Sequence, residues 1–403
     1  MAVGYTPYTN NNNLAVCSPS FTPKISTANP SSPNPVQGQY FPNCSFISAL
    51  ASITWVNRNF ILNNSNSLNP NASGNYSFTF WDYGPGTLLT LPTSGAGNPV
   101  TVTVSPNVLL DGGNQFSNAS GFYGAGSSNA NEVWPALYER AYAKFCYYEN
   151  GITQPSTGQV LTAANLTNTA CDPTFSDVQS LTAVQWGGNG GIALAYLTGL
   201  PCVSLITTQA LPVITTGGIS GIVGTGANGQ PSSATAANAS AGGKPLTSMC
   251  SLYSYLKAGF CNYSAANFQG INKTAYPLIA TTWASAAASP NSGYVTYGGG
   301  SLIAGHGYSI LGVLQATSGG NTYYYIVLRT TFGSNSPIPP GSSGVATNTW
   351  PYYDAQFAMG TTVPYQPTSP KATSVTLPVT ANSIFAMEQG AFINYFQSIA
   401  WAY

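Results

Sequence analysis

The chain has 403 residues with nine basic and nine acidic side chains, one histidine, 43% hydrophobic content and only 4% charge, where an ordinary soluble domain carries about 25% charge. The apolar content supplies packed cores and excludes a disordered protein. Sparse, balanced charge gives no basic patch to grip phosphates, so no nucleic acid partner is expected, nor a strongly acidic or basic one.

Residues 1–35 are rich in Pro, Asn, Ser and Thr without periodicity and read as an extended N-terminal arm. From Cys44 to Val56 the apolar residues Phe46, Ile47, Ala49, Leu50 and Ile53 recur at helical spacing, which predicts a buried helix with Cys44 in its first turn. Residues 57–130 hold β-prone runs such as "YSFTFWDYG" and "PVTVTVSPN" between Gly and Asn turns, which predicts hairpins. In "NEVWPALYERAYAKFCYY" a second helix is predicted, with Val133, Trp134, Leu137, Ala141, Phe145 and Tyr148 on one face and Glu132, Glu139, Arg140 and Lys144 as its charge. "GGNGGIALAYLTGL" reads as a glycine turn, a short helix and a stop near Gly199.

Beyond Leu200 the character changes. Residues 215–245 are a low-complexity loop, "MCSLYSYLKAGF" is one more helix, and "YPLIATTW", "HGYSILGVLQA", "TYYYIVLRTTF" and "SVTLPVT" are strands. Helix early and strand late imply an α+β chain: the arm at 1–35, an α-rich lobe at 36–200 and a β-rich lobe at 201–403. There is no regular internal repeat.

Few carboxylates mean few groups through which acid can unfold the chain. That favours an extracellular or cell-surface setting. No signal peptide is visible in "MAVGYTPYTNNNN", and no apolar run is long enough for a membrane span. The seven cysteines (Cys17, Cys44, Cys146, Cys171, Cys202, Cys250 and Cys261) include no C-x-x-C pair, so a zinc site has no support. Their odd number fits one free thiol with up to three disulfides, or seven buried thiols.

A thiol attacks as thiolate, and a helix N-terminus with an adjacent imidazolium lowers its pKa. Cys44 stands where the first would act. The second must come from His306, which opens a strand in "LIAGHGYSIL" and is the single histidine of the chain. Cys helix first, Gly-His strand later, then a strand ending in Arg is the order of papain-type hydrolases.

Four stretches carry a closer likeness. "QGQYFPNCSFISALASI" resembles the Gln-Gly turn, Cys and Ala-rich helix of the calpain-type cysteine proteases. "VWPALYERAYAKF" resembles their Trp-x-x-Leu-x-Glu-Lys/Arg-Ala-Tyr-Ala-Lys helix. "GHGYSI" is similar to their Gly-His-Ala-Tyr-Ser-Val strand start, and "FAMEQGAFINYFQSI" to the element that closes the protease core. The resemblance implies a papain-like two-lobed protease core, running from about Val36 to Trp401 without regulatory domains.

It further implies a cysteine endopeptidase acting on protein or peptide substrates. Cys44 would be the nucleophile and His306 its ion-pair partner. Gln37 or Gln39, with the Cys44 backbone N–H, would hold the oxyanion. Three departures stand out. "RTTFG" replaces Arg-Asn-Pro-Trp-Gly, so Thr330 takes the place of the Asn that orients the imidazole, with Asn335 a possible substitute. Gln37 lies seven residues before Cys44, one more than the pattern has. Ser45 and Phe332 replace two tryptophans of the cleft. Larger family members use calcium to align their lobes, but the scarce, scattered carboxylates here lead us to expect no cofactor and calcium dependence absent or weak. The alternatives are a catalytically inactive homologue acting as a binding module, and a structural surface protein. Oligomeric state is not readable from the sequence.

Overall fold

A computed structural model describes residues 5–7, 35–37, 41–56, 71–84, 97–109, 124–127, 134–188, 190–207, 214–215, 218–219, 251–261, 271–289, 297, 302–318, 321–331, 349–352, 371–376 and 384–402. Most of the low-complexity stretch lies outside these residues, as do Cys17, Gln39, Cys250, Phe332 and Asn335.

Helix α1, Cys44–Val56, follows the predicted apolar spacing, and it is buried on all sides as far as Trp55. Its small hydroxyl residues make that burial possible. Thr54 returns its hydroxyl to the Leu50 carbonyl at 2.9 Å, and Ser52 accepts the Leu278 backbone N–H at 2.7 Å. Each buried polar group thus has a partner, which a longer polar side chain would not find without a cavity.

Strands β1, Tyr76–Asp82, and β2, Asn98–Val104, form an antiparallel hairpin in register from Tyr76↔Val104 to Asp82↔Asn98. Alternation drives Tyr76, Phe78 and Phe80 with Val102 and Val104 to one buried face. That face packs on α2, Trp134–Glu149, through Phe78–Tyr138 and Phe80–Phe145 ring pairs 4.7 and 5.1 Å apart. The N-terminal arm contributes strands as well: Tyr5–Pro7 pairs with Asn107–Leu109, and Pro35–Val36 with Gly126–Ser127.

The charged side chains of α2 depart from the amphipathic expectation. All sixteen residues of the helix are buried, Glu139, Arg140 and Lys144 included. Their charges are matched within the fold: Lys144 Nζ lies 3.1 Å and Arg140 Nη1 3.5 Å from the Asp172 carboxylate. Lys144 also donates to the Thr103 and Asn168 carbonyls at 2.9 and 2.8 Å. Removing the acid alone strands two buried cations, which costs about 3–5 kcal/mol. Asp172→Ala is therefore expected to lower the denaturant midpoint steeply. A change below about 1 kcal/mol would mean that water already solvates the pair.

Helix α3, Gly191–Thr198, is entered and left by glycines in the left-handed region. At Gly190, φ +88, an added Cβ would sit 2.8 Å from Ile279; at Gly199, φ +71, it would run into the Trp81 indole. Both conformation and space demand glycine there.

Beyond Leu200, where Ile214–Thr215 pairs with Gly218–Ile219 and Thr349–Tyr352 with Lys371–Thr376 on their own, six described strands build one antiparallel sheet. Its strands are β3 (Cys202–Ile206), β4 (Ile271–Thr282), β5 (Gly307–Ser318), β6 (Asn321–Thr330), β7 (Ile384–Glu388) and β8 (Phe396–Ala402), in the order β7-β6-β5-β4-β8-β3. Helices α4, Ser251–Phe260, and α5, Gln389–Tyr395, accompany it. Along β4, Ile279 joins a core with α1, α2, α3 and the hairpin, while Leu278 and Ala280 join a second core with Leu252 and Leu256 of α4. The sheet therefore carries α1 on one face and α4 on the other. Among the described residues no helix is long and apolar enough to cross a membrane.

Candidate active site

Helix α1 lies along strand β5 with matched steps. Cys44 meets Gly307, the Ser48 carbonyl accepts the Ser309 hydroxyl at 2.8 Å, and the Trp55 indole donates to the Leu311 carbonyl at 2.8 Å. From Cys44 to Ser48 the helix rises about 6 Å and from Gly307 to Ser309 the strand rises about 6.6 Å, so the first turn keeps step with the strand, while Trp55, seven residues past Ser48, reaches Leu311 with a long side chain. Gly307 permits this approach. A Cβ there would lie 2.9 Å from Ser48 Oγ and 3.2 Å from the Cys44 carbonyl oxygen.

The residue before that glycine is His306, 262 positions from Cys44 in sequence. Its backbone is pinned by Thr282, whose Oγ1 accepts the His306 N–H at 2.8 Å and whose N–H donates to the His306 carbonyl at 3.0 Å. The imidazole meets Tyr308 edge to face, ring centroids 5.2 Å apart. Its Nε2 lies 2.8 Å from Thr331 Oγ1. Thr331 in turn donates its hydroxyl to Gln37 Oε1 at 2.7 Å and accepts the Gln37 backbone N–H on its carbonyl, also at 2.7 Å. Gln37 Nε2 donates to the Phe41 carbonyl at 2.9 Å.

Of the residues singled out from sequence, His306 and Gln37 meet through Thr331, and Cys44 lies against Gly307, the residue after the histidine. Thr330 ends β6 opposite Tyr308 and is fully buried. Gln39 and Asn335 lie outside the described residues. The residue that sequence reasoning missed is Thr331. Its signal was the doubled threonine of "RTTFG", because neighbours at a strand end point to opposite faces and only one of two can reach a given ring.

Electrostatics differ from the expected ion pair. Cys44 and His306 are 7% and 5% exposed. Burial raises the Cys44 thiol above its ordinary value, although hydrogen bonds from Gly307, from Ser45 and from its own backbone favour the thiolate. Burial also lowers His306, to about 3. Both shifts point to a neutral thiol and a neutral imidazole at rest, because desolvation outweighs the helix terminus. Ser45 is turned away from solvent by a hydrogen bond to the Gly188 carbonyl, which ties the glycine turn before α3 to the start of α1.

Behind the cysteine helix, Asn43 donates to Glu139 at 2.5 Å and Ala125 N–H donates to the other carboxyl oxygen at 2.8 Å. Burial raises Glu139 to about 8, and burial followed by the neighbouring Asp82 does the same to Glu149. These two carboxyls hold protons in the folded chain that an unfolded glutamate, near 4.5, releases, so stability falls as pH rises from about 4.5 to 8. His306 acts oppositely between its unfolded 6.5 and folded 3, losing stability as pH falls. Two protons outweigh one. Thermal melting is therefore expected to peak in mildly acidic buffer and to decline toward pH 8, with Glu139→Gln flattening the decline. A peak at neutral pH that Glu139→Gln leaves in place would contradict this.

Cys44, Cys146, Cys171, Cys202 and Cys261 are all free and buried, so none of these five forms the disulfides that the odd count allowed. Among the described residues no three His, Cys, Asp or Glu gather. The Asp172 and Asp177 carboxylates are engaged by internal donors, from Lys144, Arg140 and Ser105 in one case and Ser156, Thr174 and Gln154 in the other. A calcium cage needs such oxygens free and converging.

Residues 16–176 match the family model described as calpain family cysteine protease. The calpain-family match takes in Gln37, Cys44 and α2, and it ends before His306 and Thr331, which the fold brings to it. The matched segment has mixed helix and strand content. No curated protein matches the chain.

Proposed function

We propose that the protein is a calpain-like cysteine endopeptidase that hydrolyses peptide bonds through an acyl-enzyme, with Cys44 on an α-rich lobe (36–200) and His306 on a β-rich lobe (201–403) in the papain manner. The observation that carries this reading is the close approach of Gly307, the residue beside the only histidine, to Cys44: a Cβ on that glycine would lie 3.2 Å from the Cys44 carbonyl oxygen. The match of residues 16–176 to the calpain family cysteine protease model supports it independently.

In this mechanism the resting pair is neutral. His306 takes the thiol proton as Cys44 Sγ attacks the peptide carbonyl, and the resulting imidazolium returns it to the leaving amine. The Cys44 N–H with a glutamine side chain, Gln37 or Gln39, stabilises the oxyanion. Water, deprotonated by His306, then releases the acyl group and restores the thiol. Thr331 holds the ring, in the role that the Asn fills in the family pattern. No step is routed through calcium.

Casein hydrolysis measured with excess chelator and again with added calcium tests both parts. Equal cleavage in the two is the expected outcome. Cleavage with calcium only would overturn the calcium-free mechanism, and cleavage in neither would leave an inactive homologue that binds without cutting.

A further inference from the structure

The geometry points to Gln37 as a positioning residue that, through Thr331, sets which nitrogen of His306 carries the proton. The inference deepens the proposed proteolytic reading and rests on it for its catalytic meaning, though not for its geometry.

The reasoning starts from a group with one possible role. The Phe41 carbonyl can only accept, so the nitrogen of the Gln37 amide must face it, as it does at 2.9 Å. That orientation turns Gln37 Oε1 toward Thr331, and an amide oxygen also can only accept. The single hydroxyl proton of Thr331 is thereby committed to Gln37, at 2.7 Å. What remains on Thr331 Oγ1 for the imidazole 2.8 Å away is a lone pair. Nε2 must then be the protonated nitrogen of the neutral ring, which leaves the Nδ1 lone pair as the base. A backbone carbonyl three residues before Cys44 so dictates, through three hydrogen bonds, the protonation pattern of a histidine on the far part of the chain.

The Gln37 backbone secures the same contact, donating to the Thr331 carbonyl at 2.7 Å, and Arg329 Nη2 donates to the Pro35 carbonyl at 3.1 Å. The Pro35–Gln37 segment is thus fastened to the end of β6 by main-chain and side-chain bonds together. Threonine alone would be a poor substitute for an amide, since its hydroxyl rotates and serves as donor or acceptor equally well. With Gln37 behind it, the hydroxyl has one orientation.

A protein with one histidine makes the test direct. Long-range proton–nitrogen correlation spectra of the uniformly labelled chain contain a single imidazole, whose two nitrogen shifts report the tautomer. The wild-type ring is expected as the Nε2–H tautomer. In Gln37→Leu the hydroxyl is released to donate to the ring, so the Nδ1–H form should gain population, with kcat falling about 10–100-fold. Thr331→Ser, which keeps the hydroxyl, should preserve the tautomer. A wild-type ring protonated on Nδ1 overturns the inference even if the variants fail to fold. So does a Gln37→Leu protein that loses rate while its tautomer stays Nε2–H, the result expected of a simple oxyanion donor. A wild-type chain with the Nε2–H ring that cuts no peptide would sink the proteolytic reading and leave the relay standing.

Discussion

Replacing Cys44 with alanine is expected to reduce casein hydrolysis by at least about a thousandfold, and His306→Ala by a similar factor. A nucleophile and its base act as one unit, so removing either loses nearly all that the pair supplies, and the double variant should be scarcely slower than either single one. The chain offers an internal control. Cys146, Cys171, Cys202 and Cys261 are buried thiols like Cys44, yet none lies beside the histidine strand at a helix start. Alanine at Cys171 should leave hydrolysis within a few-fold of wild type. Residual activity above about a tenth in Cys44→Ala would place the nucleophile elsewhere.

The second large effect is expected at Gly307, which makes no chemistry of its own. A Cβ at this position meets Ser48 Oγ at 2.9 Å and the Cys44 main chain at 3.2 and 3.3 Å. The side chain could swing aside, but the Cys44 backbone cannot without shifting the first turn of α1. Gly307→Val therefore moves sulfur and imidazole apart by a fraction of an ångström to an ångström, and misplacement on that scale costs about a hundredfold in rate. The distinguishing readout is a fall in kcat with near-wild-type KM and a folded far-ultraviolet spectrum. Full activity in Gly307→Val would show that the seam between helix and strand does not position the pair.

The sequence carried some of this plainly. The helix from Cys44, the 76–104 hairpin, the glycine stop at Gly199 and the strands on either side of His306 all follow from local periodicity and turn residues, which are properties of neighbours in the chain. What was not readable depends on distant partners. Arg140 and Lys144 looked like solvent residues because helical spacing says nothing of Asp172, which neutralises them from a separate segment. Their burial is a tertiary fact. The same holds for Thr331 against Thr330, since a shift of one residue at the end of a strand exchanges the faces and no local feature marks which threonine the ring will meet. The upward shift of the Cys44 thiol and the downward shift of His306 were hidden for a related reason: a helix terminus is visible in sequence, but the depth at which the fold buries it is not.

The joint between α1 and the sheet pairs a side chain of one element with a main-chain atom of the other: Ser309 with the Ser48 carbonyl, Ser52 with the Leu278 N–H and Trp55 with the Leu311 carbonyl, while Gly307 brings no side chain at all. Its spacing is consequently set by three side chains of fixed reach acting on fixed backbone points. Exchanging Ser52, Ser309 or Trp55 would then shift the seat of the helix, and with it the distance between Cys44 and the histidine strand.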